Sequence, residues 1–249
     1  MPTTLPNELV RVLQQSRSFA VLTGAGISAE SGVPTFRDAQ TGLWAQFKPE
    51  DLATPEAFRR NPKVVWEWYA WRRQLVAQVE PNAGHRALVE LERRVPQFTL
   101  ITQNVDGLHQ RAGSRSVIEL HGNLTRTKCF EEGAAVDHWE ETGEVPPRCP
   151  RCGGRLGPDV VWFNEMLPPG AFERALAASR SCDAFLSIGT SALVHPTASL
   201  PFEALERGAT VVEINPDDTR LTAHVHFRLR GPAGVILPAL LRALGPAAG

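Results

Sequence analysis

The chain has 249 residues, of which 43% are hydrophobic, 21% charged and 7% aromatic. That balance fits one large globular domain, or one domain with a smaller insert, and excludes a disulfide-stapled miniprotein, a collagen and a disordered chain. The 26 basic and 27 acidic side chains leave a net charge of −1, against the basic footprint of a nucleic-acid binder.

The opening stretch, MPTTLPNELVRVLQQ, carries neither a basic n-region nor an apolar h-region. No apolar run approaches the roughly 18 residues needed to cross a bilayer, so a cytoplasmic location without membrane contact is expected. An amphipathic segment over 8–16 predicts a helix, and the apolar run 19–23 a buried strand that ends in a glycine turn.

That turn is Gly24-Ala25-Gly26-Ile27-Ser28. Glycines let a backbone approach a pyrophosphate, and the amides of a following helix start supply an anion site. Gly32 falls six residues after Gly26, not three, so the spacing departs from the usual dinucleotide fingerprint and a plain tight turn competes on local grounds. The polar continuation over 29–38 lies where a cofactor would sit.

A helical pattern over 62–79 carries Trp66, Trp68, Tyr69, Trp71 and Arg72. Tyr69 and Arg72 stand i and i+3 and share a helix face. A phenol beside a guanidinium can hold a carboxylate, whereas packing around a snorkelling stem is the structural alternative. A second helix is predicted over 84–94 and a second strand over 98–102. This strand ends in Thr102-Gln103-Asn104-Val105-Asp106-Gly107, where two amides and a carboxylate could fix a sugar and order a water, or could form an Asx turn. In Glu119-Leu120-His121-Gly122-Asn123, the imidazole titrates near neutrality and suits a general base, although a lone histidine is more often structural.

From 129 to 158 the rhythm breaks into a Glu-, Gly- and Pro-rich stretch with three of the four cysteines. Cys149 and Cys152 form one C-x-x-C pair; Cys129 is the other half, but the residue three positions on is Glu132. Tetrahedral zinc needs four ligands, so a fourth would have to be a carboxylate, His138 or water, or the module folds without metal. Cys182 reads as a buried small hydrophobe. Helices over 169–179 and 198–207 then alternate with strands over 183–188 and 210–214. Gly189-Thr190-Ser191 and Asn215-Pro216-Asp217 follow those strands.

Strands alternating with helices predict an α/β fold, a Rossmann-like doubly wound parallel sheet covered on both faces, with the polar clusters converging at the strand C-termini. The expected units are a nucleotide-binding domain over 1–35, 81–128 and 159–249, a helical insert over 36–80, and the small cysteine module over 129–158.

GAGISAESGVPTFR, TQNVDGLH, LHGN, CPRC, VVWFNE, GTSALVHP and INPD occur in the order seen in sirtuins, and the chain resembles that family over about 9–244. The resemblance implies an NAD-dependent protein lysine deacylase acting on acyl-lysine proteins or peptides, releasing nicotinamide, O-acyl-ADP-ribose and free lysine. It implies NAD contacts from Gly24, Ala25, Gly26, Ser28, Phe36, Arg37, Gln103, Asn104, Asp106, Gly189, Thr190, Ser191, Asn215, Asp217 and Ala233. His121 would be the base, with Asn104 and Asp106 beside it, and Val161, Trp162 and Phe163 the strand that pairs with the substrate backbone. Tyr69 and Arg72 resemble the pair that marks the desuccinylase and demalonylase branch, with Ala53 widening the acyl pocket. A zinc-ribbon-like module on Cys129, Cys149 and Cys152 is implied, with Glu132 in place of the usual cysteine. A deacetylase, a protein ADP-ribosyltransferase or a non-catalytic NAD or ADP-ribose sensor are the alternatives; a sensor would be expected to lack Asn104, Asp106 or His121. Oligomeric state is left open, with a monomer possible.

Overall fold

A computed structural model describes residues 5–34 and 47–245. Six strands form one sheet: β1 Ser18–Thr23, β2 Gln97–Thr102, β3 Val117–Glu119, β6 Ala184–Ile188, β7 Thr210–Asn215 and β8 Phe227–Arg230. Their spatial order is β3-β2-β1-β6-β7-β8, and every neighbouring pair is parallel. The chain therefore winds outward from β1 to β3, then returns to the other side of β1 for β6. The order reverses between β1 and β6, which opens a crevice beyond their carboxyl ends.

Alternation along the strands assigns each face its helices. Phe19 and Val21 of β1 join Leu100, Leu186 and Ile214 in one buried cluster. Against them pack Leu9 and Leu13 of α1 Asn7–Gln15, Leu88 and Leu91 of α5 Ala83–Arg94, and Ile236, Leu237 and Leu240 of α9 Ala233–Leu244. Ala20 and Leu22 point the other way, with Ile101, Phe185 and Val211, onto Ala175 of α7 Ala171–Ser181 and Leu200 and Ala204 of α8 Leu200–Glu206. The sheet is covered on both faces, as the alternating pattern predicts. Two of its strands carry no expected apolar run. β3 spans three half-buried residues and β8 is a four-residue edge strand with two arginines, so neither presents the hydrophobic run that marks a central strand.

Two strands stand outside this sheet. β4 Gly122–Cys129 pairs antiparallel with β5 Leu156–Val160, so the expected module edge at 128 falls inside β4. The helical segment docks on this ribbon. α3 Pro55–Arg60 begins at Thr54, whose hydroxyl accepts from the Ala57 amide at 3.1 Å, with Pro55 at the first helical position. α4 Pro62–Ala77 repeats the device with Asn61 and Pro62. Leu52, Phe58, Val65, Trp68 and Tyr69 pack with Leu124, Val160 and Trp162 into a third cluster. No helix of the described residues is long and apolar enough to cross a membrane.

Candidate active site

The crevice between β1 and β6 is walled by two glycine turns in backbone contact. The Gly26 amide donates to the Gly189 carbonyl at 2.8 Å, and the Gly24 amide to Ile188 at 3.0 Å. A Cβ on Gly26 would stand 2.7 Å from the Gly189 Cα, and one on Gly24 would stand 2.8 Å from the Gly189 carbonyl oxygen. Gly189 also needs a φ of +59°, the left-handed region that glycine adopts without penalty. The two turns are therefore one interlocked unit. Ala25, Gly26 and Ser28 lie on the short helix α2 Ala25–Ala29, which Gly24 caps.

The residues after β2 close the floor. Asn104 is 9% exposed and donates to the Gly24 carbonyl at 3.0 Å and to Ser28 Oγ at 3.1 Å. Gln103 donates to Thr190 Oγ1 at 3.0 Å, and Asn215 to the Thr190 carbonyl at 2.9 Å, which ties β2, β6 and β7 together at their C-termini. Ser191 and Asp217 are exposed at the rim. Ala233 is buried in the first turn of α9, where the next amide, Gly234, donates to Glu30 at 2.8 Å. Phe36 and Arg37 lie outside the described residues.

Asp106 is buried; its Oδ1 accepts from the Leu108 amide at 2.9 Å. Burial pushes its carboxyl up, opposed by that amide, Ser28, Arg72 and Arg111. Beneath the floor sits a pair that local sequence did not single out. His85 and His109 stack at 4.9 Å; His85 Nε2 lies 3.5 Å from Ser28 Oγ, and His109 Nε2 lies 2.9 Å from Thr23 Oγ1. Burial holds them down to about 4 and about 3, so both are neutral at pH 7. The only local signal for His85 is its place in a capping box, where Asn82 accepts from the first amides of α5 and donates its own amide to His85 Nδ1 at 3.3 Å.

His121 follows β3 at the mouth of the crevice. Its Nδ1 lies 3.1 Å from the Gln103 carbonyl, so Nδ1 carries the hydrogen and Nε2 the lone pair. Burial lowers its pKa and the Gln103 carbonyl opposes that shift. Both features suit a base that is neutral at physiological pH.

The third cluster forms the other wall. Arg72 lies 4.9 Å over the Trp68 ring and 5.7 Å over the Tyr69 ring. Burial lowers the guanidinium from its usual value, while Tyr69 and Asp106 favour its charged form. The Tyr69 hydroxyl accepts from the Trp162 indole at 3.0 Å. Ala53 is buried in the same cluster, and its carbonyl accepts from the Phe163 amide at 2.9 Å. Residues 161–163, expected as a strand, are irregular: β5 stops at Val160. Their amides are all engaged within the protein: Val161 donates to the His121 carbonyl beside the Gly122–Val160 pair, Phe163 to Ala53 and Trp162 to the Glu165 carboxylate. Trp162 is 3% exposed and Phe163 48%, so the two side chains face opposite ways, one into the core and one into solvent.

Away from the crevice, Cys129, Glu132, Cys149 and Cys152 bring one ligand atom each to within 4.8 Å of one another. The Cys129 and Cys152 sulfurs are 3.5 Å apart, close to the roughly 3.8 Å edge of a tetrahedron with 2.3 Å Zn–S bonds. Three thiolates and a carboxylate complete a four-ligand set, so the residues fit a structural zinc with Glu132 as the fourth donor. Glu132 is also held by Arg151 at 3.1 Å.

The chain matches the family model described as the Sir2 family over residues 24–196. It is 54% identical over 224 residues to an NAD-dependent protein deacylase of Aquifex aeolicus, covering 89% of this chain and 93% of that one. A solved Sir2 homolog–NAD complex superposes with a TM-score of 0.89 at 45% identity, covering 97% of this chain and 94% of that chain. A solved complex of Sir2 with a p53 peptide and NAD+ superposes with a TM-score of 0.83 at 28% identity, covering 96% and 98%.

Proposed function

The chain belongs to the Sir2 family, and on that premise we propose that it is an NAD-dependent protein lysine deacylase whose acyl pocket favours succinyl and malonyl over acetyl groups. The observation that carries the acyl preference is the Arg72 guanidinium, half-buried over the Trp68 and Tyr69 rings in the cluster that contains Ala53. A cation withdrawn from solvent beside a phenol binds a carboxylate through charge-assisted hydrogen bonds, and an acetyl group offers it no partner.

The glycine crevice supports binding of the dinucleotide. Gly24, Ala25, Gly26 and Ser28 let backbone approach its phosphates, and Phe36 and Arg37 are proposed to add contacts from the sequence that follows. Gln103, Asn104 and Asp106 hold the nicotinamide side. Gly189, Thr190, Ser191, Asn215, Asp217 and Ala233 hold the adenosine side. When bound, NAD supplies an activated ribose carbon with nicotinamide as its leaving group. Asn104, anchored at Gly24 and Ser28, orients the sugar, and its remaining carbonyl oxygen is free to accept. His121 accepts a proton at Nε2 from a hydroxyl presented at the crevice mouth. Residues 161–163 line the entry for the substrate backbone. In this division 36–80 is an insert that serves both the cofactor and the acyl pocket, 129–158 the metal module and the remainder the NAD-binding domain. Cytoplasmic placement accords with four unpaired cysteines, three of them metal-poised.

The experiment is the Arg72→Met substitution. It is expected to lower kcat/KM for a succinyl-lysine peptide by at least about ten-fold more than for an acetyl-lysine peptide. Equal losses on both would overturn the acyl assignment.

A further inference from the structure

The Trp162 indole and the Tyr69 hydroxyl, 3.0 Å apart, are both about 3% exposed. The indole N–H is a donor only, so the Tyr69 oxygen must accept. The Arg72 guanidinium, 5.7 Å over the Tyr69 ring, is likewise a donor with no acceptor. Neither neighbour can take the Tyr69 proton. The nearby Glu165 carboxylate is engaged by the Trp162 amide at 2.8 Å and pairs with Lys128 at 3.9 Å. Trp162 is itself fixed by the rings of Phe58 in α3, at 5.3 Å, and of Phe130 just past β4, at 6.0 Å.

We propose that Trp162 is a positioning residue for acyl selectivity: its indole N–H occupies the Tyr69 oxygen and so commits the Tyr69 O–H to donate to the terminal carboxylate of the acyl group. This rests on the carboxylate reading of Tyr69 and Arg72. Burial also holds the Tyr69 phenol up at about 12, so the proton it would donate is present throughout the neutral range. An indole locked by packing makes the donor direction a fixed property of the pocket, not one chosen on binding.

The test compares kcat/KM for succinyl- and acetyl-lysine peptides in wild type, Trp162→Phe, Tyr69→Phe, the double variant and Arg72→Met, each checked by thermal melting. Loss of one orienting hydrogen bond is expected to lower the succinyl-to-acetyl ratio in Trp162→Phe by about 3- to 10-fold, chiefly through KM. The same substitution made in Tyr69→Phe is expected to change the ratio less than about two-fold, because the acceptor is gone. Trp162→Leu serves if the phenylalanine variant does not fold, and Trp162→His, which keeps a ring N–H, is expected to move the ratio back toward wild type. If Arg72→Met collapses the ratio but Trp162→Phe leaves it unchanged, or lowers both substrates equally, the role of Trp162 is overturned and the carboxylate reading stands. If Arg72→Met leaves the ratio intact, the carboxylate reading falls and this inference with it.

Discussion

The His121 ring is held by the Gln103 backbone, with Nδ1 3.1 Å from the carbonyl oxygen. One contact sets tautomer and orientation together, and Nε2 keeps the lone pair. His121→Ala is expected to leave the protein folded, since the side chain is only partly buried, and to abolish NAD-dependent deacylation. General-base catalysis contributes about 10²- to 10⁴-fold, so a peptide assay has ample range. The pKa is lowered from 6.5, and a base must be neutral to act. The acid limb of kcat/KM should therefore lie below pH 6.5; a limb above pH 7 would count against this role.

The glycine turns make a steric prediction. A Cβ at Gly26 would meet the Gly189 Cα at 2.7 Å, and the obstacle is backbone that no rotamer change can move. Gly26→Ala should cost about 1–3 kcal/mol of stability by overpacking and should weaken NAD binding well beyond that of a remote alanine substitution. Calorimetry with NAD and a melting curve check both parts. Wild-type affinity would mean that the two turns do not shape the site.

Metal content tests Glu132. Protein purified without chelator is expected to carry one zinc per chain, and strong chelators should lower its melting temperature. Glu132→Ala leaves three ligands and should lose metal at lower chelator concentration, whereas Glu132→Cys should hold it more tightly. Identical retention in all three proteins would show that the carboxylate does not ligate.

His85 and His109 predict acid sensitivity. Each is neutral in the folded protein, with pKa values of about 4 and about 3, against 6.5 when exposed. Below pH 6.5 the unfolded chain takes up protons that the folded chain refuses, so stability rises with pH in this window and is lost as pH falls. Between pH 6.5 and 5 the loss is about 2 kcal/mol per histidine at 1.36 kcal/mol per unit. Melting temperatures at pH 7, 6 and 5 measure it. A flat profile would mean that the pair is charged or solvated when folded.

Much of this was legible in the residues. β1, β2, β6 and β7 are apolar runs whose alternate residues face different helices, so period and composition marked them. β3 and β8 were not marked because they are short and half-buried at the sheet edges, where polar side chains are tolerated. The polar turns after the strands could be named, but only the reversal between β1 and β6 makes one crevice of them. Cys129 and Glu132 showed a broken pattern; that the carboxylate stands beside three sulfurs is a matter of folding. The His85 and His109 pair is likewise tertiary, since residues 24 apart in sequence carry no mutual signal. Residues 161–163 read as a strand, but neighbouring carbonyls and Glu165 take their amides.

The central claim is tested most directly by turnover of one peptide sequence bearing succinyl-, malonyl- or acetyl-lysine, with and without NAD, following free lysine and nicotinamide together. The account predicts equal release of both products only with NAD, and a higher kcat/KM for the succinyl and malonyl peptides than for the acetyl peptide. No turnover of any peptide would contradict the enzymatic assignment, and a higher value for acetyl would contradict the role of Tyr69 and Arg72.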